Sequence, residues 1–480
     1  MVTSHLFGVE EKWKLLKVIK KSKNIKVSIL ISTYNKGKFI ENTLNSILNQ
    51  TMDKHDFELI VVDDCSTDNT VSIVSSKIES FSNYKLVQLD ENSGTPAKPR
   101  NLSIDLSLGE FLMFVDGDDW LPLESVETLY NLVKLNKTDY ATGLTKYVYN
   151  DRVGRSGVAL SKISQKSIDL KNFRKSFYHL APAGRIIKTD IIKKNHIRFP
   201  EMIFAEDLQF FAEVFFNIDK LSTTSEVVYC ANRYTENVSL VKSKESTTLN
   251  RMKYQTEAYR YLSNKYKDNK VFENLLYRLI NKDILDAKFY KKGFIKEIDT
   301  LLPALQSALI EIEKDFDPKA FSDDELNQEA IKLIKAGDKK EIIKFINWYL
   351  EKDNEDLYFV KNKAYYTFNG NLYKKNICAF LHSSSHKKGN VTLNLYSKNT
   401  DIKYIEIKSR KNPENYKIIK LKRNLLKPGE YKAQFQTENL PKGKIALTVL
   451  DEYLNTSVIK TRKQSGLYET VNGNLGFINK

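Results

Sequence analysis

The segment FVDGDDW places Asp116 and Asp118 one residue apart at the end of an apolar run. Two carboxylates at an exposed strand end can share an oxygen-preferring divalent cation. Mg²⁺ or Mn²⁺ held this way completes its shell with phosphate oxygens and water, and it neutralises the charge developing on a departing diphosphate. Asp-x-Asp alone is weak, because aspartate is common in turns. A second acidic pair, Asp63-Asp64, closes another apolar run and continues as Cys65-Ser66-Thr67-Asp68. Ser66 or Thr67 can cap the following helix with Asp68 in its first turn, while Asp64 accepts hydrogen bonds from a base. Two acidic strand ends together are more informative than either alone.

In MIFAEDLQFF, Glu206 and Asp207 stand among aromatic and aliphatic residues at the start of a helix. Such surroundings disfavour the ionised carboxylate and raise its pKa, which suits a general base near its working pH. Helix capping is the competing reading of the same pair. In the loop ENSGTPAKPRN, Arg100 precedes a helix and offers a fork of donors to a diphosphate or a base.

The elements that must position these groups are legible in the apolar runs. KVSILIST, FELIVVDDCS, YKLVQLD and EFLMFVDGDD alternate with helical stretches, the pattern of parallel strands buried on both faces. Open α/β sheets bind ligands beyond the carboxyl ends of their strands. At those ends lie Thr33-Tyr34-Asn35, Asp63-Asp64 and Asp116-Gly117-Asp118-Asp119.

Residues 1–25 read as a basic helix, with Trp13, Leu15, Leu16, Val18 and Ile19 among lysines. It is expected to pack on its own domain or a partner subunit, the second reading being peripheral contact with an anionic membrane. Residues 245–354 read as a helical linker, and 355–480 as short strands separated by Asn, Gly and Pro. That spacing predicts an antiparallel sandwich. His382 and His386 are expected as surface histidines in a Ser-rich turn.

The 480 residues have an ordinary globular composition, 41% hydrophobic and 28% charged. No run approaches the length of a membrane-spanning helix, no compact secretory signal opens the chain, and Cys65, Cys230 and Cys378 are too scattered for a disulfide framework. A reducing, cytoplasmic setting is the expectation. Of the net charge of +16, nearly all is C-terminal: residues 361–480 hold 23 Lys and Arg against 8 Asp and Glu. A concentrated positive field attracts polyanions and anionic membranes; edge-protecting, solubilising lysine is the plainer explanation.

VSILISTYNKGKFIENTLNSILNQT, ELIVVDDCSTDNT, NSGTPAKPRN, GEFLMFVDGDDW and AEDLQF, taken in order, resemble the family 2 glycosyltransferases of GT-A fold over residues 26–240. The resemblance implies a Rossmann-like nucleotide-sugar domain over 26–244, a divalent cation (Mn²⁺ or Mg²⁺) and inversion at the anomeric carbon. It assigns Thr33, Tyr34, Asn35, Asp64, Asn92 and Arg100 to the donor, Asp116 to the donor and metal, Asp118 to the metal, and Asp207, beside Glu206, as catalytic base. Arg233 and Ser239, in RYTENVSLVKSK, would meet the diphosphate, with Arg233 as a surface ion-pair residue the alternative. Two positions depart from the family's habit: Ser32 stands where Pro is frequent, and Pro99 precedes Arg100 where Ala is frequent.

The order of a GT-A domain, a helical region and a basic sandwich is similar to the wall teichoic acid β-glycosyltransferases. That likeness implies UDP-GlcNAc as donor, poly(ribitol phosphate) as the anionic acceptor, and a homo-oligomer, a trimer, built through the C-terminal domain. The larger members carry two such sandwiches, whereas 355–480 has room for one. A transferase of capsular or exopolysaccharide synthesis is the near alternative and a non-catalytic polyanion-binding protein the distant one. No nucleic-acid partner is expected, and localisation is cytoplasmic or peripheral to the inner membrane face.

Overall fold

The computed structural model describes residues 2–6, 9–20, 22, 24–237, 246–352, 357–360, 363–387, 390–397, 400–411, 415–452, 454–460, 468–469 and 475–479. The chain divides into two compact units, Met1–Arg278 and Leu279–Lys480.

In the first unit the apolar runs become β3 (Val27–Thr33), β4 (Phe57–Asp63), β5 (Asn83–Leu89) and β6 (Phe111–Asp116), which pair in parallel in the order β5-β4-β3-β6. Two N-terminal strands, β1 (Val2–Leu6) and β2 (Val9–Lys20), extend the sheet beyond β5. Beyond β6 come β7 (Tyr140–Val148), β8 (Val153–Ser156), β9 (Gln165–Asp169), β10 (Arg185–Lys188) and β11 (Lys220–Asn232). Here β10 is antiparallel to β6 and β7, while β11 runs parallel to β7.

Alternate strand residues serve opposite faces of the sheet. Ile29, Ile31, Leu59, Val61, Met113 and Val115 pack against α1 (Ile40–Leu48), α2 (Thr70–Lys77) and α4 (Ser125–Asn136) through Leu44, Ile47, Val74 and Leu129. The other face takes α3 (Ala97–Leu106), which packs on β3 and β4. Two short helices, α5 (Val158–Ser161) and α6 (Thr189–Lys194), precede α7 (Glu206–Phe216). Phe114 meets Phe210 of α7 edge-on, and Phe199 stacks on that ring at 3.8 Å. Each fully buried side chain of this kind contributes roughly 1.5–3 kcal/mol, so the positions of the strand ends are strongly determined.

The N-terminal segment corrects the expected helix: Val9–Lys20 is a strand antiparallel to β5. A bulge between Leu15 and Lys17 shifts the register, so apolar residues fall on both sides of the break and imitate helical spacing. Trp13 is buried, whereas Leu15, Leu16, Val18 and Ile19 are exposed.

The helical region is divided between the units rather than forming a separate linker. Helices α8 (Thr248–Tyr266) and α9 (Phe272–Arg278) belong to the first; the second begins with a π-helical stretch, Leu279–Phe289. There follow α10 (Lys292–Lys296), α11 (Ile298–Glu313), α12 (Glu325–Ala336) and α13 (Lys339–Glu351). Asp338 caps α13 by accepting from two backbone amides, and Gly337, at φ +75°, ends α12 in the left-handed region. Among the described residues, no helix is long and apolar enough to cross a membrane.

A three-stranded sheet, β12 (Tyr358–Val360), β13 (Lys363–Phe368) and β14 (Asn371–Lys374), leads into the C-terminal strands. These are β15 (Ala379–Lys387), β16 (Asn390–Ser397), β17 (Tyr404–Ser409), β18 (Tyr416–Lys420), β19 (Lys422–Arg423), β20 (Glu430–Gln436), β21 (Gly443–Leu450), β22 (Thr456–Lys460), β23 (Tyr468–Glu469) and β24 (Leu475–Asn479). Leaves around β16–β20 and β17–β21 join through a short parallel pairing of β15 with β22. Inward residues of both leaves, including Leu393, Leu395, Ile405, Ile407 and Leu447, share one core. The short strands expected over 355–480 are thus present, most of them in antiparallel pairs. His382 and His386 lie in β15 rather than in a turn, and both are exposed.

Candidate active site

Arg100 stands at the centre of the acidic groups. On α3, with its side chain only 7% exposed, it donates Nη2 to Asp116 Oδ1 at 3.0 Å and Nη1 to Asp207 Oδ1 at 3.1 Å. The same Nη1 is 3.5 Å from Glu206 Oε1, and Phe199 lies beneath the guanidinium at 5.1 Å. Burial pulls the guanidinium pKa down, but the three carboxylates outweigh it and hold it well above its ordinary value. Residues separated by more than a hundred positions are thus gathered around one cation.

Asp207 sits in a recess with 29% of its side chain exposed. Burial, assisted by the charge of Asp116 and opposed by Arg100, pushes its carboxyl up to about 6. Glu206 is raised to about 8, first by burial and then by Asp207. Both carboxylates open the first turn of α7, where the capping alternative also puts them, and the cap position is Ala205, at φ +67°, whose side chain makes no cap bond. A non-glycine residue in that region is strained, and the strain presents both carboxylates at the first turn. The helix N-terminus favours their ionised forms, against the burial.

Asp118 faces a different set. Its Oδ2 is 2.7 Å from Lys36 Nζ and accepts from Asn237 Nδ2 at 2.8 Å. Between the two aspartates, Gly117 lies flat on β3: a Cβ there would approach Thr33 Oγ1 to 2.7 Å and Thr33 Cβ to 2.9 Å. Thr33 Oγ1 is itself a buried hydroxyl without a hydrogen-bond partner among the described residues. Among the described residues, no group of three His, Cys, Asp or Glu side chains could hold a metal ion. The oxygen donors of Asp116 and Asp118 nevertheless fit a hard divalent cation, which binds through one or two carboxylates and takes further ligands from substrate phosphate and water.

A buried network fixes this loop to β11. Asp119, 3% exposed, accepts from Tyr229 Oη at 2.8 Å and from the Asn232 amide at 2.7 Å. Tyr229 Oη in turn accepts from the Asp116 amide at 3.1 Å. Trp120 and Cys230 exchange both backbone hydrogen bonds. The sequence reading named Asp119 only as part of the strand-end run, without a role, and missed Tyr229, Asn232, Lys36 and Asn237.

At the neighbouring strand ends, Asn35 Oδ1 accepts from the Thr67 amide at 2.9 Å, and its own amide donates to Ser66 Oγ at 2.8 Å. Asn35 therefore ties the β3 loop to the β4 loop. Tyr34 is 42% exposed and can offer its ring face to a base. Asp64 accepts from Asn92 Nδ2, the Ser93 amide and Ser93 Oγ, at 3.1, 2.9 and 2.9 Å. Burial raises its pKa and the Ser93 bonds oppose that. Arg233 is exposed, stacks over Tyr147 at 4.8 Å and donates to the Asn232 carbonyl, without an ion pair among the described residues. Ser239 lies outside the described residues.

The model of glycosyl transferase family 2 matches residues 28–195. Poly(ribitol-phosphate) beta-N-acetylglucosaminyltransferase TarS of Staphylococcus aureus is 36% identical over 206 residues, 43% of this chain and 35% of TarS. The poly(ribitol-phosphate) beta-glucosyltransferase of Bacillus spizizenii is 34% identical over 206 residues, 43% of this chain and 32% of that protein. TarP of S. aureus, another poly(ribitol-phosphate) beta-N-acetylglucosaminyltransferase, is 35% identical over 215 residues, 42% of this chain and 62% of TarP. The match thus spans about a third of the first two relatives' length. The crystal structure of S. aureus TarS 1-349 with UDP-GlcNAc superposes with a TM-score of 0.59 at 27% identity, covering 73% of this chain and 99% of that one. A longer S. aureus TarS structure covers 95% of this chain and 85% of its own at the same TM-score and 21% identity, a likeness of fold alone.

Proposed function

With residues 28–195 a family 2 glycosyltransferase domain, we propose that this chain moves a sugar, GlcNAc from UDP-GlcNAc, to a hydroxyl of a poly(ribitol phosphate) teichoic acid with inversion. The observation that carries the reading is the single guanidinium of Arg100 spanning Asp116 and Asp207, which supports one cleft for donor and base. The relatives' poly(ribitol-phosphate) acceptors and the UDP-GlcNAc complex of TarS support the choice of substrates.

In this reading Tyr34, Asp64 and Asn92 bind the uridine side, and Asp116 and Asp118 lie beside the diphosphate. A divalent cation held by those two carboxylates supplies neutralisation of the leaving diphosphate. Asp207, poised by burial to about 6, is ionised at neutral pH and takes the proton of the acceptor hydroxyl. As that proton leaves, the oxygen bonds to the anomeric carbon from the side opposite the diphosphate, and the bond to the diphosphate oxygen breaks. One base suffices for such a single displacement. Arg100 keeps Asp207 oriented and compensates its charge. Oligomerisation through the C-terminal sandwich is part of the proposal, read by light scattering of the chain with and without residues 355–480.

The test is UDP release from UDP-GlcNAc with purified poly(ribitol phosphate), with and without a chelator. UDP-glucose and a neutral polysaccharide acceptor serve as comparators. Polymer-dependent release that Asp207→Asn abolishes is the expected result. Release only with a neutral acceptor, or full turnover by Asp207→Asn, overturns the reading.

A further inference from the structure

A cleft of about 710 Å³ opens at one end of adjacent strands β18, β17 and β21, lined by Ser409, Lys411, Tyr416, Lys417, Leu440 and Lys442 among others. Two chain segments build it: the hairpin that joins the exit of β17 to the entry of β18, and the turn before β21. They are fixed to one another, since the Ser409 amide donates to the Asn415 carbonyl and the Arg410 amide to the Lys444 carbonyl, each at 2.9 Å. Leu440 and Pro441 are buried and form an apolar floor, while Lys411, Lys417 and Lys442 are exposed. No carboxylate lies among the described lining residues.

These three lysines share one opening of the surface. Elsewhere in the same sandwich, Arg423 pairs with Asp401 at 2.9 Å and Lys408 with Glu406 at 3.7 Å. Lys411, Lys417 and Lys442 have no carboxylate within ion-pair distance among the described residues. Edge protection explains a lysine on an outer strand such as β18; it does not explain Lys411 and Lys417 of one hairpin meeting Lys442 of the neighbouring turn over an apolar floor with Ser and Asn donors between them.

We infer that this cleft is a binding subsite for a phosphodiester-linked polyol chain, a surface that retains the acceptor polymer; this rests on the proposed function. The lysines meet the phosphate oxygens, the Ser409, Asn415 and Asn439 side chains meet polyol hydroxyls, and Leu440 and Pro441 take the carbon chain. Tyr416 is the sole aromatic ring among the described lining residues, so successive stacked bases lack the platform that single-stranded nucleic acid uses. Retention of a repeating polymer at a second point raises the effective acceptor concentration at the catalytic cleft.

The experiment compares the full chain with the triple variant Lys411→Gln/Lys417→Gln/Lys442→Gln and with Lys420→Gln, an exposed β18 lysine outside the cleft. Direct binding of poly(ribitol phosphate) is measured without donor, then KM and kcat with it. The triple variant is expected to bind about tenfold more weakly with a shallower salt dependence, and to raise the polymer KM while leaving kcat and the KM for the UDP-sugar unchanged. Lys420→Gln is expected to match the parent. In the unmodified chain, polymer should shield Lys411, Lys417 and Lys442, and not Lys420, from acetylation read by mass spectrometry; this arm needs no variant to fold. Undiminished polymer binding by the triple variant, no shielding, or equally tight binding of poly(U) overturns the inference. Lysine-dependent binding without any turnover would instead overturn the proposed function and leave the cleft standing.

Discussion

Arg100 Nη1 donates to Asp207 Oδ1 at 3.1 Å while its Nη2 is held by Asp116. The residue expected to meet the donor also stands, in this structure, as the counter-ion of the proposed base. Removing one partner of a buried ion pair leaves an uncompensated charge and costs about 3–5 kcal/mol. Arg100→Met should therefore lower stability by an amount of that order at pH 8 in urea unfolding. The loss should shrink toward pH 5, where Glu206 and Asp207, both raised by burial, can protonate instead of repelling one another. A pH-independent loss would indicate packing on Phe199 as the residue's role.

The pH profile follows from Asp207. A base raised to about 6 by burial is ionised above that value and protonated below it. The free-enzyme kcat/KM should thus fall roughly tenfold per pH unit on the acid side of about 6. Asp207→Asn should lower kcat by about 10²–10⁴-fold with the UDP-sugar affinity, measured by calorimetry, kept. A profile flat from pH 5 to 8 would remove Asp207 from the proton transfer.

Glu206 gives a stability prediction of definite sign. Its carboxyl is raised from 4.5 to about 8 in the folded chain, so the folded state binds more protons than the unfolded state between those values. Stability from this group is then present at low pH and lost as pH rises through that window. Glu206→Gln removes the linkage; at pH 8 the variant should be more stable than the parent by about 1–3 kcal/mol, with no gain at pH 4. Thermal unfolding at the two pH values reads it.

Gly117 is constrained by Thr33, because a Cβ would stand 2.7 Å from the Thr33 hydroxyl oxygen. Gly117→Ala must push the Asp116–Asp118 turn off β3, an overpacking cost of about 1–3 kcal/mol. Turnover should fall further than stability, since both carboxylates move together. Parallel urea titrations and kcat measurements separate the two effects.

The parallel core was legible because Val27–Thr33, Phe57–Asp63 and Phe111–Asp116 are unbroken apolar runs ending in acids or hydroxyls, and burial on both faces demands that pattern. The C-terminal strands were legible from simple alternation, as in Val391, Leu393 and Leu395. Residues 9–20 were not, because the bulge after Leu15 shifts a period of two by one residue and mixes both faces. The partners of Arg100 were illegible for another reason: a fork of donors reads equally well toward phosphate or carboxylate, and only the fold decides. The lock on β11 was hidden because Asp119 and Tyr229 are 110 positions apart and neither has a distinctive neighbourhood.

That lock supplies the last prediction. Tyr229 Oη donates to Asp119 and accepts from the Asp116 amide, so one hydroxyl joins the acidic loop to the strand that leads to Asn237 and its contact with Asp118. Tyr229→Phe loses both hydrogen bonds and leaves a buried amide and carboxylate short of partners, a cost of about 2–4 kcal/mol. Asp119→Asn keeps the shape but turns one acceptor into a donor, which clashes with the Asn232 amide or makes the Tyr229 hydroxyl reorient. If the three groups act as one unit, the double variant should cost less than the sum of the singles by about 1–2 kcal/mol, the coupling typical of groups in contact. The same non-additivity should appear in kcat, because the Asp116 backbone is positioned through Tyr229. Strict additivity in both readouts would mean that Asp119 and Tyr229 merely fill adjacent space and that the acidic loop is held by Gly117 and the Trp120–Cys230 backbone pair alone.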